Sequence, residues 1–179
     1  MNKINSTIPL LGFAAYSGTG KTTLLTAIIP LLKRQGLRIG LIKHAHHKFD
    51  VDQPGKDSYE LRKAGAERVL VASSKRWALM VETPDKSDDP DLQALVYQFN
   101  NSQLDLLLVE GFKHAAFPKI ELHRKENDHE FMYVRDKNII AIATNDKGIL
   151  SHKNEIFTLN IDDANQVADF IVTRIVNKV

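Results

Sequence analysis

The run Ala15-Tyr16-Ser17-Gly18-Thr19-Gly20-Lys21-Thr22 sets a lysine and a hydroxyl residue directly after a glycine. This is the spacing of the phosphate-cradling pattern G-x-x-x-x-G-K-[ST], with Ala15 in place of the first glycine. Alanine is small, but it does not share glycine's access to positive φ. The chemistry needs these residue types. Backbone N–H groups from Ser17 to Lys21 can converge on phosphate oxygens, and a following helix adds positive potential at its N-terminus. Gly18 and Gly20 allow close backbone approach. Lys21 would reach β- and γ-phosphates, the Thr22 hydroxyl would hold Mg²⁺, and Thr23 is placed for the α-phosphate.

Three more clusters carry candidate chemistry. Leu106-Leu107-Leu108-Val109-Glu110-Gly111 ends an apolar run in a carboxylate, where phosphate-loop proteins place an acid that holds Mg²⁺ directly or through water. Asp105, at the other end of that run, is not favoured for the metal. Lys43-His44-Ala45-His46-His47 is followed by Asp50 and Asp52. This loop reads as a nucleotide-sensing switch with Asp50 or Asp52 near the magnesium shell, as a zinc or nickel site, or as a solvated polar loop. Thr144-Asn145-Asp146-Lys147 offers Asp146 for the guanine N1 and N2 donors, and it reads equally as a turn.

The elements that must position these groups follow an α/β pattern. Strand-length apolar runs alternate with helical periodicity, predicting a mainly parallel sheet. Ile8 to Ala15 predicts the first strand. Leu24, Leu25, Ile28, Leu31 and Leu32 share one face of a helix from Lys21 to about Gln35, with Pro30 expected to kink it or loosen its last turn and Gly36 to stop it. Leu37 to Lys43 is the second strand. Asp57 and Glu60 have capping-box spacing, for a helix ending near Gly65. Val69 to Ser73 and Trp77 to Thr83 predict an antiparallel hairpin, Glu82 to Asp91 an acidic exposed loop, and Asp91 to Asn100 a short helix. Lys119 to Arg124 alternates as an edge strand would, followed by a charged extension from Glu126 to Asp136. Ile139 to Ala143 and Ile156 to Leu159 are further strands, and Asp162 or Asp163 caps a final helix to about Asn177.

Composition narrows the function classes. The chain has 179 residues, 24 Lys and Arg against 22 Asp and Glu, and no cysteine. The expected organisation is one domain over residues 1–179. Without cysteine there is no disulfide scaffold, thiolate metal site, iron–sulfur cluster or cysteine nucleophile. A net charge of +2 argues against a dedicated nucleic-acid binder. No apolar stretch approaches a membrane span and no leader pattern opens the chain, so the expected setting is cytoplasmic, without a membrane partner.

Taken together, Ser17-Gly18-Thr19-Gly20-Lys21-Thr22-Thr23-Leu24-Leu25, Gly40-Leu41-Ile42-Lys43-His44 with His46-His47, the stretch from Asp52 to Ala66, Arg76-Trp77-Ala78-Leu79-Met80 and Leu107-Leu108-Val109-Glu110-Gly111-Phe112-Lys113 resemble the MobB family of molybdenum-cofactor proteins. The likeness keeps its order over nearly the whole chain and is weakest from Phe117 to Lys137. It implies a P-loop NTPase three-layer fold, GTP and Mg²⁺ as ligands, and hydrolysis that is weak at most. It also implies an adapter role beside MobA, which transfers guanylate to molybdopterin, and a homodimer; molybdopterin is a further candidate ligand. By position, Ser17, Gly18, Thr19, Gly20, Lys21, Thr22 and Thr23 would form the phosphate loop. Lys21 and Glu110 would be the catalytic pair and Thr22 and Glu110 the metal ligands. Asp52 and Lys56 to Ser58 would face nucleotide or second subunit. Two alternatives stand beside this reading: a metal-delivery GTPase using His44, His46 and His47, and a small-molecule kinase with a lid from Arg124 to Arg135. An edge-strand extension in Lys119 to Arg135 is a candidate dimer builder.

Overall fold

The computed structural model describes residues 3–45, 49–83, 90–100, 102–127, 129–151 and 156–177. The chain divides into two compact units, Met1–His44 with Asp91–Val179, and Ala45–Pro90.

The larger unit is built on six parallel strands: β1 (Leu10–Ala14), β2 (Ile39–Lys43), β5 (Leu106–Glu110), β6 (Lys119–His123), β7 (Ile139–Thr144) and β8 (Phe157–Asn160). Their order is β2-β5-β1-β6-β7-β8. Strands covered on both faces need continuous apolar sequence, and β1 and β5 supply it in Leu-Leu-Gly-Phe-Ala and Leu-Leu-Leu-Val. Alternate residues feed two cores. Leu11, Phe13, Leu106, Leu108, Ile120 and Leu122 pack with α1 (Lys21–Arg34) and α5 (Ala164–Ile171). Leu10, Leu107 and Val109 pack with Leu92 and Val96 of α3 (Leu92–Tyr97). The sheet is therefore the middle of three layers.

Local signals explain the helix ends. α1 runs through Pro30 and ends in a double bond pattern, Gly36 N–H to the Lys33 carbonyl at 3.0 Å and Leu37 N–H to the Leu32 carbonyl at 3.3 Å. The Asp163 carboxylate caps α5, accepting from Asn165 and Gln166 N–H at 3.1 Å. The same helical run continues in a π-helical turn, Val172–Val176. A short α4 (Lys147–Ser151) follows β7.

One expected element is overturned. Lys119 to Arg124 is no edge strand: β6 lies between β1 and β7, and all five of its residues are buried. Its alternation has another cause. Ile120 and Leu122 enter the core, while Lys119, Glu121 and His123 face a polar covering. Lys119 Nζ bonds the Asp136 carboxylate at 2.7 Å and the carbonyls of Lys113 and Ala115 at 2.9 and 2.7 Å. The Glu121 carboxylate accepts from Met132 and Tyr133 N–H at 2.7 and 2.8 Å. With these partners buried polar groups are tolerated in a central strand. A dimer built by strand addition at Lys119 to His123 is excluded with it.

The smaller unit holds α2 (Asp57–Lys63) and the antiparallel hairpin of β3 (Arg68–Ala72) and β4 (Trp77–Val81). The capping box is corrected in detail. Lys56 occupies the cap position without a side-chain bond, Asp57 is the first helical residue, and the Glu60 carboxylate reaches back to Gly55 N–H at 3.1 Å. Asp57 then acts through its charge in the first turn. Most of the expected acidic loop, residues 84–89, lies outside the described residues.

Candidate functional site

The phosphate-loop sequence joins the carboxyl end of β1 to α1. Gly18 and Gly20 have φ of 79° and 96°, a region that side chains disfavour, which is why glycine is needed at both. Thr19 is buried, and its hydroxyl donates to the Tyr16 carbonyl at 2.9 Å, fastening the loop across its neck. Gly20 is the N-cap of α1 and brings no side-chain acceptor, and no acid stands in the first turn. The opening N–H groups of a 14-residue helix are thus uncapped by side chains, with its positive end facing outward. Lys21 is half-buried and makes no ion pair among the described residues. Such a cradle accepts an anion.

Glu110 ends β5 beside the loop strand, in register with Phe13 of β1 and Lys43 of β2. Its side chain is 13% exposed and lies 3.4 Å from Lys43 Nζ. The backbone then turns sharply. Gly111 has φ 93°, and a Cβ there would meet the His44 Cβ at 2.6 Å. Phe112 follows at φ 51°, a left-handed conformation that costs a non-glycine residue on the order of 1 kcal/mol. Its ring stacks on His44 with centroids 4.8 Å apart. The sequence gives no hint of this strained residue. The connections leaving β1 and β5 run to opposite sides of the sheet, and ligands of open α/β folds bind at such a point.

Asp146 lies at the same sheet edge, past the end of β7 and two strands from the loop strand. Its carboxylate accepts from Gly148 N–H at 2.9 Å and faces Lys125 Nζ at 3.7 Å, so it also forms the turn opening α4. Asp52 belongs to the smaller unit, where its carboxylate takes Arg62 Nη2 at 2.7 Å and Nε at 3.4 Å. Arg62 also reaches Asp50 at 2.7 Å and Glu82 at 2.8 Å. The guanidinium holds the Asp52 carboxyl below its ordinary range. His46 and His47 lie outside the described residues. Among the described residues no three His, Asp or Glu side chains are grouped to hold a metal ion.

Sequence reasoning missed two features. Arg124, directly after β6, donates from Nε to the Thr19 carbonyl at 3.2 Å and from Nη2 to Asp162 at 3.0 Å. Its neighbours Lys125 and Glu126 bond Asn145, at 2.9 Å from the Lys125 N–H and 3.0 Å to the Glu126 carboxylate. The segment after β6 therefore touches both the phosphate loop and the Asn145–Asp146 turn. The second feature is a cavity of about 550 Å³ beside Tyr16, lined also by Lys113, His114, Phe131, Met132 and Arg135. Neither carries a local signal: only the position of β6 inside the sheet shows that its charged residues require a covering segment.

A parallel three-layer sheet with a glycine-bounded phosphate loop at its switch point defines a P-loop NTPase-like α/β protein. The model of the MobB family, described as molybdopterin guanine dinucleotide synthesis protein B, matches residues 10–145. The chain belongs to this family. It is 53% identical over 166 residues to the molybdopterin-guanine dinucleotide biosynthesis adapter protein of Escherichia coli (strain K12), covering 92% of each chain. It is 44% identical over 170 residues to the protein of the same name from Haemophilus influenzae (strain ATCC 51907 / DSM 11121 / KW20 / Rd), covering 94% of this chain and 90% of that one. The crystal structure of Bacillus subtilis MobB superposes with a TM-score of 0.71 at 26% identity, over 94% of this chain and 98% of that one. Among the described residues no helix is long and apolar enough to cross a membrane.

Proposed function

We propose that this protein is a GTP-binding adapter in molybdopterin guanine dinucleotide biosynthesis, working beside a MobA-like guanylyltransferase. The observation that carries the nucleotide half is the uncapped start of α1 behind Gly18 and Gly20, with half-buried Lys21 free of any described carboxylate. The adapter half rests on the names borne by the relatives that align over nine-tenths of the chain.

In this reading the N–H groups of Ser17 to Lys21 bind β- and γ-phosphate oxygens, Lys21 neutralises them, and Thr23 meets the α-phosphate. The residues present suit Mg²⁺: the Thr22 hydroxyl and the Glu110 carboxylate are oxygen donors, one in the first turn of α1 after β1 and the other at the carboxyl end of neighbouring β5. Bound there, Mg²⁺ would neutralise phosphate charge. Lys43 Nζ, 3.4 Å away, gives one Glu110 carboxylate oxygen a fixed direction at that edge. Asp146, with its second oxygen free of described partners, reads guanine. Asp52 and the Lys56 to Ser58 run are assigned to the nucleotide or a second subunit. Hydrolysis is weak at most.

The homodimer belongs to the same proposal. Leu70, Trp77, Leu79 and Val81 leave one face of the hairpin apolar and exposed, a surface suited to a second copy. Calorimetry tests the nucleotide reading. GTP should bind with Mg²⁺ and in preference to ATP, and Lys21→Ala should weaken it roughly ten- to a hundredfold, the range for a hydrogen bond to a charged group. Equal affinity for ATP and GTP, or an unchanged Lys21→Ala, would sink the assignment.

A further inference from the structure

We propose that Arg124 is a positioning residue of the phosphate loop, setting the Thr19–Gly20 peptide that a polyphosphate must meet. The inference rests on the nucleotide-binding reading above and deepens it.

Three observations carry it. Arg124 Nε donates to the Thr19 carbonyl, the oxygen of the peptide whose N–H belongs to Gly20. The position of a Cβ on Gly20 lies 3.8 Å from Nε and 3.9 Å from Nη2, so the guanidinium rests against the loop where its φ is 96°. Asp162 holds the other side of the guanidinium at 3.0 Å, which fixes its plane. A charge-assisted bond to a peptide oxygen polarises that peptide and makes its N–H a stronger donor. The Gly20 N–H is one of the groups offered to phosphate. Arg124 therefore sharpens the cradle from behind, through the backbone, without touching the ligand.

The contact is not needed to hold the fold. The Arg124 side chain is 32% exposed and Asp162 is 55% exposed, and ion pairs at such exposure add little to stability. Thr19 has a separate anchor in its own hydroxyl bond to Tyr16. Lysine would keep the charge but lose the planar fork that meets two acceptors together.

The test compares wild type, Arg124→Gln and Arg124→Lys by calorimetry with GTP and with inorganic tripolyphosphate, alongside melting of the ligand-free proteins. Tripolyphosphate has no base, so it reports the loop alone. Arg124→Gln should weaken both ligands by the same factor, about tenfold, the scale of one hydrogen bond to a charged group. Arg124→Lys should recover part of that loss, and the ligand-free melting midpoints should stay within about 2 °C of wild type. Wild-type affinity for tripolyphosphate in Arg124→Gln would overturn the proposal. So would a collapse of the ligand-free melting midpoint in both variants, which would make Arg124 a scaffold residue. Failure of the wild type itself to bind either ligand would instead overturn the nucleotide reading, before any variant is compared.

Discussion

The two units of this chain hold themselves together by different physics. The larger one buries Leu106, Leu107, Leu108, Val109 and Ile120 completely. In the smaller one no described residue is buried, and Leu61, Leu70 and Trp77 are 60%, 59% and 68% exposed. Its nearest equivalent to a core is ionic: Arg62, with a side chain 8% exposed, gathers Asp50, Asp52 and Glu82. Tyr59 adds its ring, 5.3 Å from the guanidinium. A two-stranded hairpin is marginal in water by itself. The contrast teaches that the phosphate loop sits on a scaffold that is stable for its own reasons, whereas the smaller unit depends on charge pairing and on whatever covers its apolar side.

The sharpest way to break this contrast is to truncate a leucine in each unit. Leu108→Ala should cost about 2–5 kcal/mol, because it opens a cavity between β5 and the helices. Leu70→Ala should change the unfolding free energy of the monomer by less than about 0.5 kcal/mol and should weaken self-association instead. Urea unfolding and sedimentation measure the two effects. Equal losses of stability would show that the hairpin is covered in the monomer, erasing the contrast.

The next largest effect concerns the ionic hub. Arg62→Ala leaves the Asp52 carboxylate, 7% exposed, without its cation. Limited proteolysis should then cut within Ala45–Pro90 faster, while the melting of the larger unit barely moves. High salt acting on the wild-type protein should shift cleavage the same way but less, since screening weakens the pairs to half-exposed Asp50 and Glu82 and largely spares the Arg62–Asp52 pair. Cleavage unchanged by both would assign the unit's order to its hairpin alone.

The same contrast decides what was legible in the sequence. The larger unit announced itself through local rules: continuous apolar runs for strands, 3.6-residue periodicity in α1, and glycines at the phosphate loop. Each of those signals is carried by neighbours in the chain. The misreading of Lys119 to Arg124 shows where that stops. Alternation along a strand reports that one face is polar, but water and a buried network of Asp136, Met132 and Tyr133 look alike from the strand's own sequence. Arg124 against Thr19 was hidden for the same reason, because the two are 105 residues apart. In the smaller unit the hairpin was legible from its β-branched and aromatic runs. The partnership of Arg62 with Asp50, Asp52 and Glu82 was not, since ion pairing leaves no periodicity.

A third prediction tests that buried network. Desolvation pushes the Glu121 carboxyl up, against the pull of two backbone N–H donors. The folded state thus holds its proton above the ordinary glutamate value near about 4.3, so this group's contribution to stability falls as pH rises through the folded pKa. Glu121→Gln should remove that slope in urea unfolding above about pH 4, while lowering stability somewhat because Met132 and Tyr133 N–H bond separate carboxylate oxygens and one of them would face the amide NH₂. An unaltered slope would place the charge cost elsewhere.

The smallest effect comes from an ion pair in the larger unit that resembles the hub of the smaller one. Arg38 meets the Asp105 carboxylate through Nε, Nη2 and its own N–H at 2.8–3.0 Å, pinning the starts of β2 and β5 at the edge away from the phosphate loop. The Arg38 guanidinium and N–H pull the Asp105 carboxyl down to about 2. A depressed carboxyl adds stability above its ordinary value near about 4, and that stability fades as pH falls toward about 2. Asp105→Asn should therefore lie slightly below wild type in melting temperature at pH 7, with the gap closing between about pH 4 and 2, and GTP affinity should not change. Both Asp105 and Asp52 are held down by an arginine, yet only the loss of Arg62 should release a segment to protease. If Asp105→Asn also opened the larger unit to cleavage, the apolar sheet would need its ion pairs as much as the hairpin unit does. The division between a unit held by burial and a unit held by charge would then fail.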